Sequence, residues 1–431
     1  MMYPNLPSWR IVLGMLTLLP WLTGCNQHAT LDLMPTPIIY LDTQLDPFTH
    51  LTDAHRSTVA PVFYATNRSP QPGRVAPYGN RIDAGLHLGQ ADVRMGEEAM
   101  TWNELHHASL NNGPVTLSLE GVEELGYQPL DQPLAGAQLS AGQQRFIDAI
   151  NAQLAMAFDK EIMLYVHGTK VDFFNSVAMT AEIDHFAGRD FVGVAFAWPS
   201  HQNILAYLLG IDVSRARASA PALVALIELL AAHTDAEHIN LLSYSAGGRV
   251  ASRALADLQR QHASLSPQAL RDRFRLGAVV FAAADVEVDA FLPRLAAISQ
   301  LANQVVITVS DDDTALKAAE RYMGGGARTG ALVAEAREQA FIEREHLDNV
   351  EIIDVSRGKQ ARGFDISGHH YWYRHPWASS DVIFLLRTDL PPMHRGLEEA
   401  EHETLWFLSA DYPSRSLDAV SSALAPIWQP R

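Results

Sequence analysis

Apolar positions along the chain fall into two kinds of run. Residues 162–166, 191–198, 239–242, 276–283, 304–309 and 350–355 are short apolar stretches of strand length, whereas 146–158, 177–186, 216–232 and 250–258 repeat apolar residues at the spacing of a helix face. From about Gln143 onward the two kinds alternate. That rhythm predicts a parallel sheet with helices on both faces, an α/β fold. Upstream, residues 58–68 (TVAPVFYATNR) and 115–119 predict two more strands, and the Gly- and Pro-containing stretch between them predicts irregular structure. Past about Leu390, Pro391-Pro392 and an acidic run at 398–403 mark a C-terminal extension, whose Trp406 and Phe407 are expected to pack back onto the body. Neither an internal repeat nor a low-complexity segment interrupts the pattern.

The first 25 residues follow a different rule. One basic residue, Arg10, precedes a twelve-residue apolar run at 11–22, broken only by Gly14, Thr17 and Pro20, and then comes Thr23-Gly24-Cys25. The run is short for a transmembrane helix and suits the core of a signal peptide. Leu22-Thr23-Gly24-Cys25 resembles a bacterial lipobox, in which the cysteine is lipidated and becomes the first residue of the mature protein. Cys25 is the only cysteine in the chain, so it reads as an anchor and not as a nucleophile or a disulfide partner. Asn26 stands where an aspartate would favour the inner membrane, which points to the outer membrane, with the body facing the periplasm. The expected organisation is a signal peptide over 1–24, a tether over 25–57 in which Ile38-Ile39-Tyr40-Leu41 can dock locally, a folded body over 58–390 and the extension over 391–431.

Composition adds exclusions. With 431 residues, 48% hydrophobic and 19% charged, the chain is that of an ordinary globular protein. Its formal charge of −17 without a basic stripe argues against nucleic acid as a partner. His106-His107 lacks a third ligand at plausible spacing, so a solvated pair is expected and not a metal site. Gly324-Gly325-Gly326 lacks the G-K-[ST] ending of a phosphate loop and reads as a surface loop. Trp198-Pro199 is expected to pack structurally.

The candidate chemistry lies at the ends of the apolar runs, where ligands of parallel sheets bind. Run 239–242 passes through Ser243-Tyr244-Ser245-Ala246-Gly247 into a helical pattern. A strand, a tight turn with small residues two before and two after a serine, and a helix make a nucleophile elbow, which lifts the hydroxyl above the sheet edge. It also sets the Ala246 N–H at a helix start, where an oxyanion can accept its hydrogen bond. After 162–166 comes His167-Gly168-Thr169-Lys170, whose Thr169 or Lys170 N–H is the candidate second donor. Acids follow the next two runs: Asp285, with Glu287 and Asp289, and then Asp311-Asp312-Asp313. His369 and His370 come last. A serine hydroxyl is a weak nucleophile until an imidazole takes its proton, and that imidazole needs a carboxylate to fix its tautomer. The order serine, carboxylate, histidine is the one such folds use.

The blocks in series are similar to those of a bacterial α/β-hydrolase family once grouped as a domain of unknown function and described as esterase/lipase-like. They are VFYATNR (62–68), YVHGT (165–169), FAWPS (196–200) with Tyr207, Asp212 and Ser214-Arg215 after it, the serine elbow, AADVEVDAF (283–291), VSDDDTAL (309–316) and GHHYW (368–372). The resemblance spans about residues 58–390 and implies an α/β-hydrolase fold and a serine hydrolase acting on carboxylic esters without a cofactor. Matched residue by residue, it implies Ser245, Asp313 and His369 as the triad, with Asp285 and His370 as alternatives for acid and base. Acyl transfer on the same fold, or a non-catalytic envelope lipoprotein, are the other expectations.

Overall fold

The structure, a computed structural model, describes residues 30–41, 45–53, 55–132, 138–203, 207, 209–311, 313–323, 326–331, 335–356, 369–400 and 405–429. Twelve strands form one sheet: β1 (Leu31–Asp32), β2 (Val59–Pro70), β3 (Tyr78–Met95), β4 (Thr116–Pro129), β5 (Glu161–Val166), β6 (Val192–Phe196), β7 (His238–Tyr244), β8 (Leu276–Ala282), β9 (Ala302–Val309), β10 (Val350–Asp354), β11 (Glu398–Glu399) and β12 (Leu405–Phe407). Their order is β1-β4-β3-β2-β6-β5-β7-β8-β9-β10-β12-β11. From β2 through β12 neighbouring strands run parallel, and both edges end antiparallel.

Strands covered on both faces carry apolar side chains at every position, which is why the central runs read as continuous. Along β5 the pleat sends Ile162, Leu164 and Val166 to one face and Met163 and Tyr165 to the other. On the first face lie α2 (Ala141–Leu154), α4 (Ile211–His233), α5 (Gly247–Gln261) and α6 (Val288–Leu301). On the second lie α3 (Phe173–Phe186) and α9 (Pro376–Arg387). By length and composition α4 is apolar enough to cross a membrane; here Ala216, Ala220, Leu223, Leu226, Ile227 and Leu230 are buried against the sheet.

The chain leaves β5 for β6 on one side and then crosses back to place β7 on the other side of β5. The carboxyl ends of β5 and β7 therefore flank the point where the winding reverses, the crevice in which open α/β sheets bind ligands. Both candidate turns, His167–Lys170 and Ser243–Gly247, sit there.

Three expectations from the sequence need correction. The stretch between 69 and 114 is not irregular. It holds the eighteen residues of β3 and the helix α1 (Trp102–Leu110), started by a capping box between Thr101 and Glu104. Glycine disguised β3: a Cβ on Gly89 would lie 2.1 Å from Glu123 O, so a bulge in the β3–β4 pairing needs that glycine. Residues 30–41 and 45–53 are not a free tether. Leu31 pairs with Leu117, Met34 N–H donates to Glu182 at 2.9 Å, and Ile39, Tyr40, Phe48 and Leu51 are buried. Nor is the C-terminal part an extension: β12 is a parallel strand beside β10, and Arg395, fully buried, binds Asp381 at 2.8 Å. The acidic run 398–403 is described only to Ala400, and Glu398 and Glu399 form the edge strand β11.

Candidate active site

Ser245 follows β7 with a left-handed backbone, φ 51°. A non-glycine residue there is strained and persists because neighbours over-determine it. Ser245 N–H donates to Ala282 O at 3.0 Å, and Ser245 O accepts from Asp285 N at 3.1 Å and Gly248 N at 3.0 Å. Close packing around the turn demands small residues: a Cβ on Gly247 would meet Val166 O at 2.3 Å. Ser243, where the elbow consensus has glycine, is fully buried and donates from Oγ to Val280 O at 3.1 Å.

The side chains of the three matched residues meet. His369 Nε2 lies 2.8 Å from Ser245 Oγ, and His369 Nδ1 lies 2.6 Å from Asp313 Oδ2. All three are buried, Asp313 completely. Asp313 also starts α7 (Thr314–Met323), its Oδ1 accepting from Leu316 N at 2.9 Å, so capping and orienting His369 are done by opposite oxygens of one carboxylate. A carboxylate accepts only, so Nδ1 carries the proton and Nε2 offers its lone pair to the Ser245 hydroxyl.

The alternatives lie elsewhere. Asp285 sits 3.3 Å from Arg249 and 3.2 Å from Arg328, and Glu287 binds the same two arginines. Burial pushes the Asp285 carboxyl up to about 7, against the pull of Arg328. It belongs to a charge cluster beneath the Ser245 turn, tied to it by its own N–H. His370 packs against Tyr244 at 6.2 Å and Tyr373 at 5.7 Å, and it precedes α8 (Tyr371–Arg374).

The two turns that carry the expected oxyanion donors lie side by side. Among the described residues no acceptor takes the N–H of Ala246, Thr169 or Lys170. Gly168 brings the second turn close: a Cβ there would lie 3.1 Å from Ser245 Cβ. Lys170 has a left-handed backbone, φ 59°, and its side chain is exposed. Cys25, Asp312, Gly324 and Gly325 fall outside the described residues.

Several contacts of the site escaped the sequence reading. Tyr244 packs against His369 at 5.2 Å, the rings tilted, and its hydroxyl donates to His369 O at 3.4 Å. The Tyr371 hydroxyl accepts from Ala283 N at 3.0 Å and lies 2.7 Å from Thr308 Oγ1, tying α8 to the ends of β8 and β9. Asp212 accepts from Thr169 Oγ1 at 2.6 Å and from His201 N at 3.0 Å. Trp198 lies against His167, and Arg68 reaches the same turn from β2. Each stands inside a block quoted above, but only the folded chain shows what it touches.

A parallel sheet with helices on both faces, with the serine elbow at its switch point, defines the α/β-hydrolase class. The chain belongs to the family described as "Alpha/beta hydrolase of unknown function (DUF900)", which its residues 143–380, more than half of the chain, match. Among solved structures, an uncharacterized protein from Bacillus cereus ATCC 10987 is 13% identical over 46% of this chain and 53% of its own, with a TM-score of 0.30. A lipase-esterase related protein from Clostridium acetobutylicum ATCC 824 is 11% identical over 52% of this chain and 94% of its own, with a TM-score of 0.27. At these scores neither bears on the chemistry of this chain. No curated protein matches it.

Proposed function

We propose that the protein is a serine hydrolase that cleaves carboxylic esters through an acyl-enzyme. The observation that carries this reading is the contact series Ser245 Oγ to His369 Nε2 at 2.8 Å and His369 Nδ1 to Asp313 Oδ2 at 2.6 Å. His369 takes the hydroxyl proton as Oγ attacks the carbonyl carbon, Asp313 stabilises the imidazolium, and the Ala246 and Thr169 N–H groups hold the oxyanion. The imidazolium then protonates the leaving alkoxide. Water, deprotonated by His369, attacks the acyl-enzyme and releases the acid. The reading further includes a lipid on Cys25 that holds the enzyme in the cell envelope at the outer membrane, supported by the lipobox-like sequence before it.

Labelling the purified body, from about Asn26 onward, with a fluorophosphonate tests the chemistry. Wild type is expected to label, and Ser245→Ala and His369→Ala to lose labelling. Folded wild type that does not label would sink the hydrolase reading and favour a binding lipoprotein.

A further inference from the structure

The carbonyl groups of the turn after β5 are fixed almost one by one. Trp198 Nε1 donates to His167 O at 2.6 Å, and His167 Nδ1 lies 2.7 Å from Gly168 O. The Gln202 amide, oriented to satisfy both its neighbours, donates to Lys170 O at 3.0 Å and accepts from Asp172 N at 2.8 Å. Val171 O accepts from Arg68 Nη2 at 2.7 Å and from Ser200 Oγ at 2.7 Å. A trans peptide sets its N–H opposite its C=O. A carbonyl held on one side therefore aims the next residue's N–H to the other. For the peptide joining Gly168 to Thr169, the carbonyl turns to the His167 ring and the Thr169 N–H turns away from it.

The state of that ring follows from its partners. A carbonyl only accepts, so Nδ1 carries the proton; Nε2 keeps its lone pair and lies 3.5 Å from Arg68 Nη2, which only donates. The ring is fully buried and stacked on Trp198 at 5.3 Å and 9°. Burial, together with the Arg68 charge, pushes its pKa down to about 3, so it is neutral at neutral pH. Arg68 is itself fully buried and spread across carbonyls of three segments, with Nε on Ala197 O at 3.2 Å, Nη1 on Gly79 O at 3.1 Å and Nη2 on Val171 O. Planar, with donors in a fixed fork, it spans sites that a lysine would not.

We propose that His167, held in its Nδ1–H tautomer by Arg68, is a positioning residue: by fixing the Gly168 carbonyl it aims the Thr169 N–H at the oxyanion that forms on Ser245. The inference rests on the serine-hydrolase reading and deepens it. It selects Thr169 over Lys170 as the second donor, because no bond to the Thr169 carbonyl fixes the following peptide among the described residues.

The test compares wild type with His167→Leu, which removes the donor, and His167→Asn, whose amide nitrogen can stand in for Nδ1. Short-chain p-nitrophenyl esters give kcat and KM, and an alkylboronic acid, which forms a tetrahedral adduct on the serine, gives an affinity for the transition-state shape. In His167→Leu, kcat is expected to fall roughly 10- to 100-fold with KM within about twofold, because loss of one oxyanion donor costs about 100- to 1,000-fold and a misaimed one less. Boronate affinity should fall in step, and His167→Asn should recover most of both. If His167→Leu does not fold, as judged by its melting transition, Trp198→Phe serves instead. It keeps the ring stack, loses only the donor to His167 O, and is expected to lose kcat several-fold in the same pattern. Unchanged kcat and boronate affinity in a folded variant would overturn the inference while leaving the hydrolase reading intact. A wild type that neither labels with a fluorophosphonate nor binds the boronate would overturn both.

Discussion

At the scale of single residues the site separates two buried aspartates that the sequence left as rivals. Asp313 holds His369, whereas Asp285 holds Arg249 and Arg328. Their substitutions are therefore expected to fail in different ways. Asp313→Asn leaves an amide that cannot stabilise the imidazolium, and kcat should drop roughly 1,000- to 10,000-fold with little change in melting temperature. Asp285→Asn leaves two buried guanidinium groups sharing Glu287, and it should cost on the order of 2–3 kcal/mol of stability while fluorophosphonate labelling persists. Denaturant melts and labelling on both proteins check the pair. A stable, inactive Asp285→Asn beside an active Asp313→Asn would reverse the assignment. The sequence held the order of the three residues whose side chains meet, because family-like blocks keep reactive groups at strand ends. It could not choose between acids that each follow a strand, since the choice depends on which of them the His369 ring reaches in space.

At the scale of elements, the N-terminal segment is fastened through a carboxyl whose burial opposes its charge. Glu182 on α3 is buried, and its carboxyl accepts from Met34 N at 2.9 Å. Burial raises its pKa from an ordinary 4.5 to about 8, outweighing the Met34 N–H and Arg374. The folded state then binds this proton more tightly than the unfolded chain. Its contribution to stability is full below about pH 4.5 and is lost as pH rises through about 8. Glu182→Gln keeps an acceptor for Met34 and removes the titration. At pH 5 the variant and wild type should melt close together, and at pH 8.5 the variant should melt higher. Parallel pH profiles would show that Glu182 does not titrate between the two. Elements of this kind are where the sequence misled most. Four helices, α2 to α5, and the central strands announced themselves by periodicity, because their burial is one- or two-sided and regular, whereas α1, α6, α7 and α9 went unread. β3 did not announce itself, since Gly89 answers a close backbone approach, and the described residues of 30–53 did not, since most of their scattered apolar side chains find partners only on a finished body.

At the scale of the whole molecule, the body begins close behind the proposed lipid. From Cys25 to Thr30 an extended chain reaches at most about 17 Å, and Leu31 already pairs with β4 at the sheet edge. Lipid on Cys25 would thus hold the folded domain against the bilayer and not on a long tether. Cys25→Ala is expected to move the protein from the membrane fraction to the soluble periplasmic fraction while its labelling by the fluorophosphonate is retained. A Cys25→Ala protein that still sediments with membranes would remove the lipid as the anchor. By itself the sequence determined the α/β class, the run of central strands and the short set of candidates, Ser245 with Asp313 or Asp285 and His369 or His370, because these follow from local periodicity and from short blocks in a fixed order. Tertiary structure alone decided which carboxylate meets the imidazole, how a buried histidine and arginine pack behind the first turn, and that Leu31–Asp32 and Leu405–Phe407 pair into the sheet. Those facts are distances between residues far apart in sequence. No local pattern encodes them, because they come into being only when the strands are laid side by side.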